Sequence, residues 1–182
     1  MIAMNLVAVS KYLSYLLRHN PEGLPISKDG FIPIEDILKK IRKRFPNVDE
    51  KILYKLNEGS KSRFEIKNGR IRALYGHTIP VEIPLEIDID VEILYHGTTK
   101  EAAEKILKEG LKRKGRRKVH LSSTIQQAIR VGKRRTKNPV ILKIDAESAR
   151  NNGIVFEKAN DLVYLSEEIP PIFISKLSNN ED

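Results

Sequence analysis

Arg18 and His19 stand side by side, a permanent cation next to an imidazole with an ordinary pKa of about 6.5, and together they can grip a phosphate and move a proton near neutrality. The other three histidines also sit in polar company, in Gly76-His77-Thr78, Tyr95-His96-Gly97-Thr98 and Val119-His120-Leu121-Ser122-Ser123. Further cations occur in Lys61-Ser62-Arg63-Phe64 and in the run from Lys112 to Lys118, which contains Arg113, Arg116 and Arg117. His96-Gly97-Thr98 at a strand end, with a helix to follow, would expose backbone N–H groups and let Gly97 admit a phosphate or nucleotide closely. Val119-His120-Leu121-Ser122-Ser123 repeats the design, and two polar strand ends side by side would make a cleft. Blander readings compete with these. Arg18 suits the C-terminal end of a helix dipole, His120 suits a satisfied core position, and Ser122 or Ser123 suits a helix N-cap. Arg63, Arg70 and Arg72 suit exposed strand positions or backbone-phosphate contacts of a nucleic-acid wing.

The elements that would position these groups are readable from periodicity. Leu6, Val9, Leu13, Leu16 and Leu17 fall on one face of a helix over residues 6–19, and Asn20-Pro21 ends it directly after His19. Helical patterns follow over Ile34–Arg44 and Asp49–Glu58, the second opening on Asp49 as N-cap. Arg63–Lys67 and Arg70–Leu74 flank Asn68-Gly69, a strong hairpin signal. Three helices and a hairpin predict a winged-helix-like lobe over residues 1–80. The prolines between Ile79 and Leu85 predict an extended connector over 81–91.

Residues 92–182 alternate short strands (Ile93–Tyr95, Val119–Leu121, Val140–Ile144, Leu162–Leu165) with helices over Lys100–Glu109 and Thr124–Val131, and Gly110 and Gly132 stand where those helices should end. The fold class expected is α+β, with a mixed β-sheet in the second lobe. The end Ser178–Asp182 is polar and is expected to fray.

Composition narrows the chemistry. Of 182 residues, 33 are Lys or Arg and 24 Asp or Glu, a net charge of +9 that suits a polyanionic partner. Without cysteine the chain has no disulfides, thiolate nucleophiles or thiolate zinc sites, and four scattered histidines predict no metal site. The start Met1–Val7 lacks the pattern of a signal peptide and no run approaches a membrane span, so a cytoplasmic, membrane-free protein is expected, with monomer as the default.

From Ser10 through Ile169-Pro170-Pro171, the ordered motifs resemble the NAD-dependent RNA 2′-phosphotransferases of tRNA splicing. The resemblance maps the family's Arg-His pair onto Arg18 and His19, and the arginine of its Lys-x-Arg-Phe element onto Arg63. The arginine four residues before the Val-His-Leu-Ser histidine falls on Arg116, with Arg113 and Arg117 as neighbouring candidates. Thr78 replaces the serine of Gly-His-Ser, Lys118 replaces a histidine, and Asn160-Asp161 replaces Asn-Gly.

The resemblance implies an ADP-ribosyltransferase-like second lobe that binds NAD through His96, Gly97, Thr98, His120, Ser122, Ser123, Gly132 and Arg134. It also implies a clamp of Arg18, Arg63 and Arg116 on an internal RNA 2′-phosphate, with His19 as the titrating group. The implied products are nicotinamide, ADP-ribose 1″,2″-cyclic phosphate and RNA with a 2′-hydroxyl, reached through an ADP-ribosylated RNA phosphate. Two rival readings are a non-enzymatic winged-helix binder and an ADP-ribosyltransferase that stops after the first step. Glu167-Glu168 lacks the Glu-x-Glu spacing common among the latter, and an ionised phosphate acceptor makes that glutamate dispensable.

Overall fold

The computed structural model describes residues 5–178, so the expectations for the extreme N-terminus and for the frayed end beyond Ser178 lie outside the described residues. The chain divides into two compact units, Met1–Pro84 and Leu85–Asp182, each with its own apolar core. The class is α+β.

The first unit begins with α1 (Leu6–Arg18), capped by the Asn5 side chain, which accepts from the Ala8 N–H. Val9, Leu13, Leu16 and Leu17 are fully buried, as the helical spacing requires. His19 follows as the C-cap residue, and its N–H and that of Asn20 both bond the Tyr15 carbonyl. Helices α2 (Ile34–Arg42) and α3 (Glu50–Leu56) pack their apolar faces on the same core, and the Asp49 carboxylate caps α3. Strands β2 (Phe64–Lys67) and β3 (Arg70–Ala73) form the hairpin around Asn68-Gly69, both at positive φ, and short β1 (Ile32–Pro33) pairs with β3 to complete a three-stranded antiparallel sheet. Asn68 and glycine reach that backbone region at little cost, which is why the dipeptide reads so clearly.

Arg72 departs from the expected exposed wing charge. Its guanidinium is buried, donates to the Glu65 carboxylate at 2.7 Å and the Asp29 carbonyl at 3.1 Å, and lies 4.3 Å from the centroid of the Phe31 ring. Phe31 precedes β1, so strand pairing delivers a π face that the linear pattern does not reveal.

The second unit contains β4 (Glu86–Ile87), β5 (Ile93–Thr98), α4 (Lys100–Glu109), β6 (Val119–Ser122), α5 (Ile125–Gly132), β7 (Val140–Asp145), α6 (Ala146–Asn151), β8 (Phe156–Lys158), β9 (Val163–Ser166), a single 3-10 turn (Pro171–Phe173) and β10 (Ile174–Lys176). Seven strands run β10-β7-β5-β6-β9-β8-β4. Every described pairing in this sheet is antiparallel, so the sheet is not mixed. Alternating strands and helices give a parallel pair only when the like-directed strands they join become neighbours, and here β6 and β7, joined through α5, run the same way but have β5 between them, antiparallel to both.

The two helix-end glycines differ. Gly110 is a C-cap at φ +87°, as expected. Gly132 instead belongs to α5, which Lys133 caps, and a Cβ on Gly132 would come within 2.5 Å of Pro139. Its role is close packing rather than helix termination.

Candidate active site

In the first unit the Arg18-His19 corner is built by a loop that folds back on α1. The N–H of Thr78 donates to the Arg18 carbonyl at 2.9 Å, satisfying an orphan acceptor at the helix end, and the Thr78 hydroxyl lies 3.0 Å from His19 Nδ1. The imidazole itself is exposed. The Arg18 guanidinium lies over the Tyr75 ring, 4.8 Å from its centroid, and Gly76 turns the loop beside it at φ +90°, a backbone region that residues with a side chain rarely adopt. His77, between them, is buried. The structure thus brings Arg18-His19 together with Tyr75-Gly76-His77-Thr78, across 59 positions of sequence for the His19–Thr78 contact.

Arg63, exposed at the start of the hairpin, donates from Nη2 to the Ser10 hydroxyl and stacks on Phe64. Ser10, Ser14 and Arg18 are four residues apart, one turn each, so they line one face of α1. Arg63 and Arg18 are therefore anchored on the same side of that helix, about 12 Å of helix rise apart. Ser10 and Tyr75, the partners of the two arginines, were not legible as site residues, because a lone serine on a helix and a tyrosine after a strand carry no signal of their own.

In the second unit β5 and β6 pair only at Tyr95↔Ser122. Both strands continue to pair on their other sides, β5 with β7 through Thr98 and β6 with β9 from Val119. The sheet therefore parts between His96–Thr98 and Val119–Leu121, and in the parting His96 Nδ1 bonds the His120 carbonyl at 3.1 Å. His120 Nδ1 in turn lies 3.0 Å from the Lys118 carbonyl. Burial pushes the His96 imidazole below its ordinary range, the His120 carbonyl opposes that, and the nearby cations Lys114 and Arg135 push it further down. His96 is held neutral among positive charges, a setting that favours an anion.

The flanking residues divide in role. Thr98 and Ser122 are buried. Ser123 donates its hydroxyl to the Asp161 carbonyl at 2.6 Å, and the N-cap of α5 is Thr124 rather than either serine, its hydroxyl accepting from the Gln127 N–H. Gly97 does not open space for a ligand at its Cα. A Cβ there would stand 1.9 Å from the Ala128 carbonyl oxygen and 3.2 Å from the Gly132 nitrogen, so this glycine exists to let α5 lie on β5. Arg134 is exposed in the turn after α5, and Arg116 is exposed in the basic loop. Arg113 in that loop is engaged, 3.5 Å from the Glu167 carboxylate and bonded to the Arg117 carbonyl. The Asn160-Asp161 turn dispenses with glycine because Asn160 Oδ1 accepts from the Leu162 and Val163 N–H groups at 2.9 Å each, and Asp161 needs no positive φ.

Among the described residues no group of three or more His, Asp or Glu stands close enough to hold a metal ion, and no helix is long and apolar enough to cross a membrane. A family model for the RNA 2′-phosphotransferases, Tpt1/KptA family, matches residues 4–168. The chain belongs to that family. The probable RNA 2′-phosphotransferase of Acetivibrio thermocellus is 40% identical over 179 residues, covering 96% of this chain and 98% of the relative. That of Pyrococcus furiosus is 40% identical over 172 residues, covering 93% and 94%. A second protein of that name from Archaeoglobus fulgidus is 41% identical over 173 residues, covering 93% and 80%. Membership makes the chain a transferase of the RNA 2′-phosphotransferase family, and the histidine-bearing motifs of both units lie within the matched span.

Proposed function

We propose that this chain removes an internal 2′-phosphate from RNA by transferring it to NAD, releasing nicotinamide, ADP-ribose 1″,2″-cyclic phosphate and RNA with a 2′-hydroxyl. The observation that carries the reading is the Arg18-His19 corner, where one exposed imidazole and one π-stacked guanidinium are both held by the Tyr75–Thr78 loop. Such a corner offers a phosphate a fixed positive charge and, beside it, a proton carrier.

The residues of the parted sheet fit a dinucleotide by their donor set. The facing edges of β5 and β6 leave the ladder beyond Tyr95↔Ser122, hydroxyls of Thr98 and Ser122 flank them, and His96 lies in the field of Lys114 and Arg135, as a pyrophosphate would favour. We assign NAD to His96, Thr98, His120, Ser122 and Ser123, with Gly97 and Gly132 shaping the strand–helix contact and Arg134 exposed in the turn after α5. NAD supplies a labile glycosidic bond to nicotinamide and an adjacent ribose hydroxyl.

The RNA 2′-phosphate, a monoester with a second pKa of about 6, is already a competent nucleophile near neutrality. Arg18 and Arg63, anchored on one side of α1, are assigned to its oxygens, and Arg116 is assigned to phosphate by its place four residues before His120. As a phosphate oxygen bonds to the anomeric carbon, the C–N bond breaks and its electron pair leaves with neutral nicotinamide. The RNA then carries ADP-ribose on its 2′-phosphate. In the second step His19 takes the proton of the 2″-hydroxyl as that oxygen bonds to phosphorus, the bond from phosphorus to the RNA 2′-oxygen breaks, and that oxygen is reprotonated. Guanidiniums are suited to the charge that spreads over the transferring phosphoryl oxygens.

The test is incubation with NAD and an RNA bearing one labelled internal 2′-phosphate. The expected result is label in ADP-ribose 1″,2″-cyclic phosphate, only when NAD is present. Label appearing as inorganic phosphate without NAD would overturn the reading.

A further inference from the structure

The outer face of α1 carries a feature that phosphate transfer does not use. Tyr12 and Tyr15 are stacked with centroids 6.5 Å apart and planes 13° from parallel. The Arg44 guanidinium, just beyond α2, lies 5.2 Å from the Tyr12 centroid, and the His19 ring lies 6.5 Å from Tyr15. Arg44, Tyr12, Tyr15 and His19 therefore form a continuous ribbon of π surfaces that ends at the imidazole assigned to catalysis. Beside it a concavity of about 400 Å³ is lined by Ala8, Lys11, Tyr12, Tyr15, Glu22 and Arg44. Tyr15 is 40% exposed and Arg44 is exposed, so the ribbon faces outward.

We propose that this ribbon is a stacking track for the single-stranded RNA nucleotides that flank the phosphorylated one, a proposal that rests on the function proposed above. Bases stack on tyrosine and guanidinium faces whatever their sequence, and cations beside the faces follow the backbone. Lys11, Arg44 and Lys40 supply positive charge. The one carboxylate of the face, Glu22, is neutralised by Lys40 at 2.9 Å and accepts from the Tyr12 hydroxyl at 3.3 Å, so the surplus is positive and complements a polyanion. The Tyr15 hydroxyl is held by Asn20 Nδ2 at 3.2 Å, which fixes the ring's direction before RNA arrives.

The experiment compares, without NAD, the affinities of a 2′-phosphorylated dinucleotide and of an octanucleotide carrying the same modified residue. Wild-type protein should bind the octanucleotide more tightly. Tyr15→Ala should cut that gain by roughly 5- to 150-fold, the range for one lost base–aromatic stack, Arg44→Ala should cut it less, and Tyr15→Phe should keep most of it. An equal gain in wild type and in both alanine variants would overturn the track. So would a wild-type dimer in sedimentation that Tyr15→Ala dissolves, because the face would then belong to a second copy. Failure of the proposed function is read separately, as no label transfer from the dinucleotide to NAD by wild-type protein.

Discussion

Residues 5–84 present their candidate chemistry on side chains whose far ends are tied down, whereas residues 85–178 present theirs along the edges of a sheet that comes apart. In the first unit Arg18 rests on Tyr75, His19 on Thr78 and Arg63 on Ser10, so each group is aimed by a partner distant in sequence. In the second unit His96 and His120 are aimed by backbone carbonyls, and the gap they border exists because β5 and β6 share a single pair. Glycine follows the same division. Gly69 serves a turn with open space around it, and Gly97 serves a strand–helix contact with no space at all. His19 and Arg63, exposed and held by side chains, can be altered with little cost to the fold. Groups set by backbone packing cannot.

That contrast is breakable by experiment. The largest effect is expected for His19→Ala, with turnover falling about 10²–10⁴-fold. RNA carrying ADP-ribose should accumulate while the urea midpoint stays near wild type, and turnover close to wild type would remove His19 from the mechanism. Gly97→Ala should act on stability, costing about 3 kcal/mol or more, because the opposing atom is a helix carbonyl that cannot move aside. Urea unfolding that matches wild type would refute the strand–helix role. Arg72→Ala in the first unit should cost about 2 kcal/mol, less than a fully buried ion pair because Glu65 and Asp29 are partly exposed. Its RNA affinity should change little, since the guanidinium faces inward. Gly69→Ala should cost only about 1 kcal/mol, the strain of an alanine in the left-handed region.

The smallest effect is a slope. His96 in the folded chain has a pKa below its ordinary value of 6.5, so between those two values the unfolded chain holds the extra proton. The contribution of the neutral imidazole to stability is whole above pH 6.5 and is lost as pH falls through the folded-state value. His96→Gln should flatten that part of the stability profile in thermal melts, and an unchanged slope would assign it to another group.

Much of the fold was legible because local rules decide it. Helix α1 ends at Arg18-His19 as Asn20-Pro21 required, Asp49 caps α3, and Asn68-Gly69 turns the hairpin. Each signal is confined to a few residues, within reach of capping, proline and turn geometry. What stayed hidden came from packing. Gly97 and Gly132 read as a ligand-admitting turn and a helix end, yet both are gaps left for a close approach between β5 and α5. Helix α6 and strands β4, β8 and β10 are too short to impose a period, and the sheet places them by pairing. Arg72 read as an exposed strand charge because nothing nearby in the chain announces Phe31 as its cover.

By itself the amino-acid sequence determined which groups are available for chemistry, which helices and turns carry them, and the family, since residue identity, spacing and capping are properties of short segments. Tertiary structure alone decided what those groups touch. Thr78 meets His19, Tyr75 covers Arg18, Ser10 receives Arg63, and β5 leaves β6 after a single pair. Such contacts join positions tens of residues apart, where the balance of burial, hydrogen bonding and close packing, rather than any local preference, selects the partner.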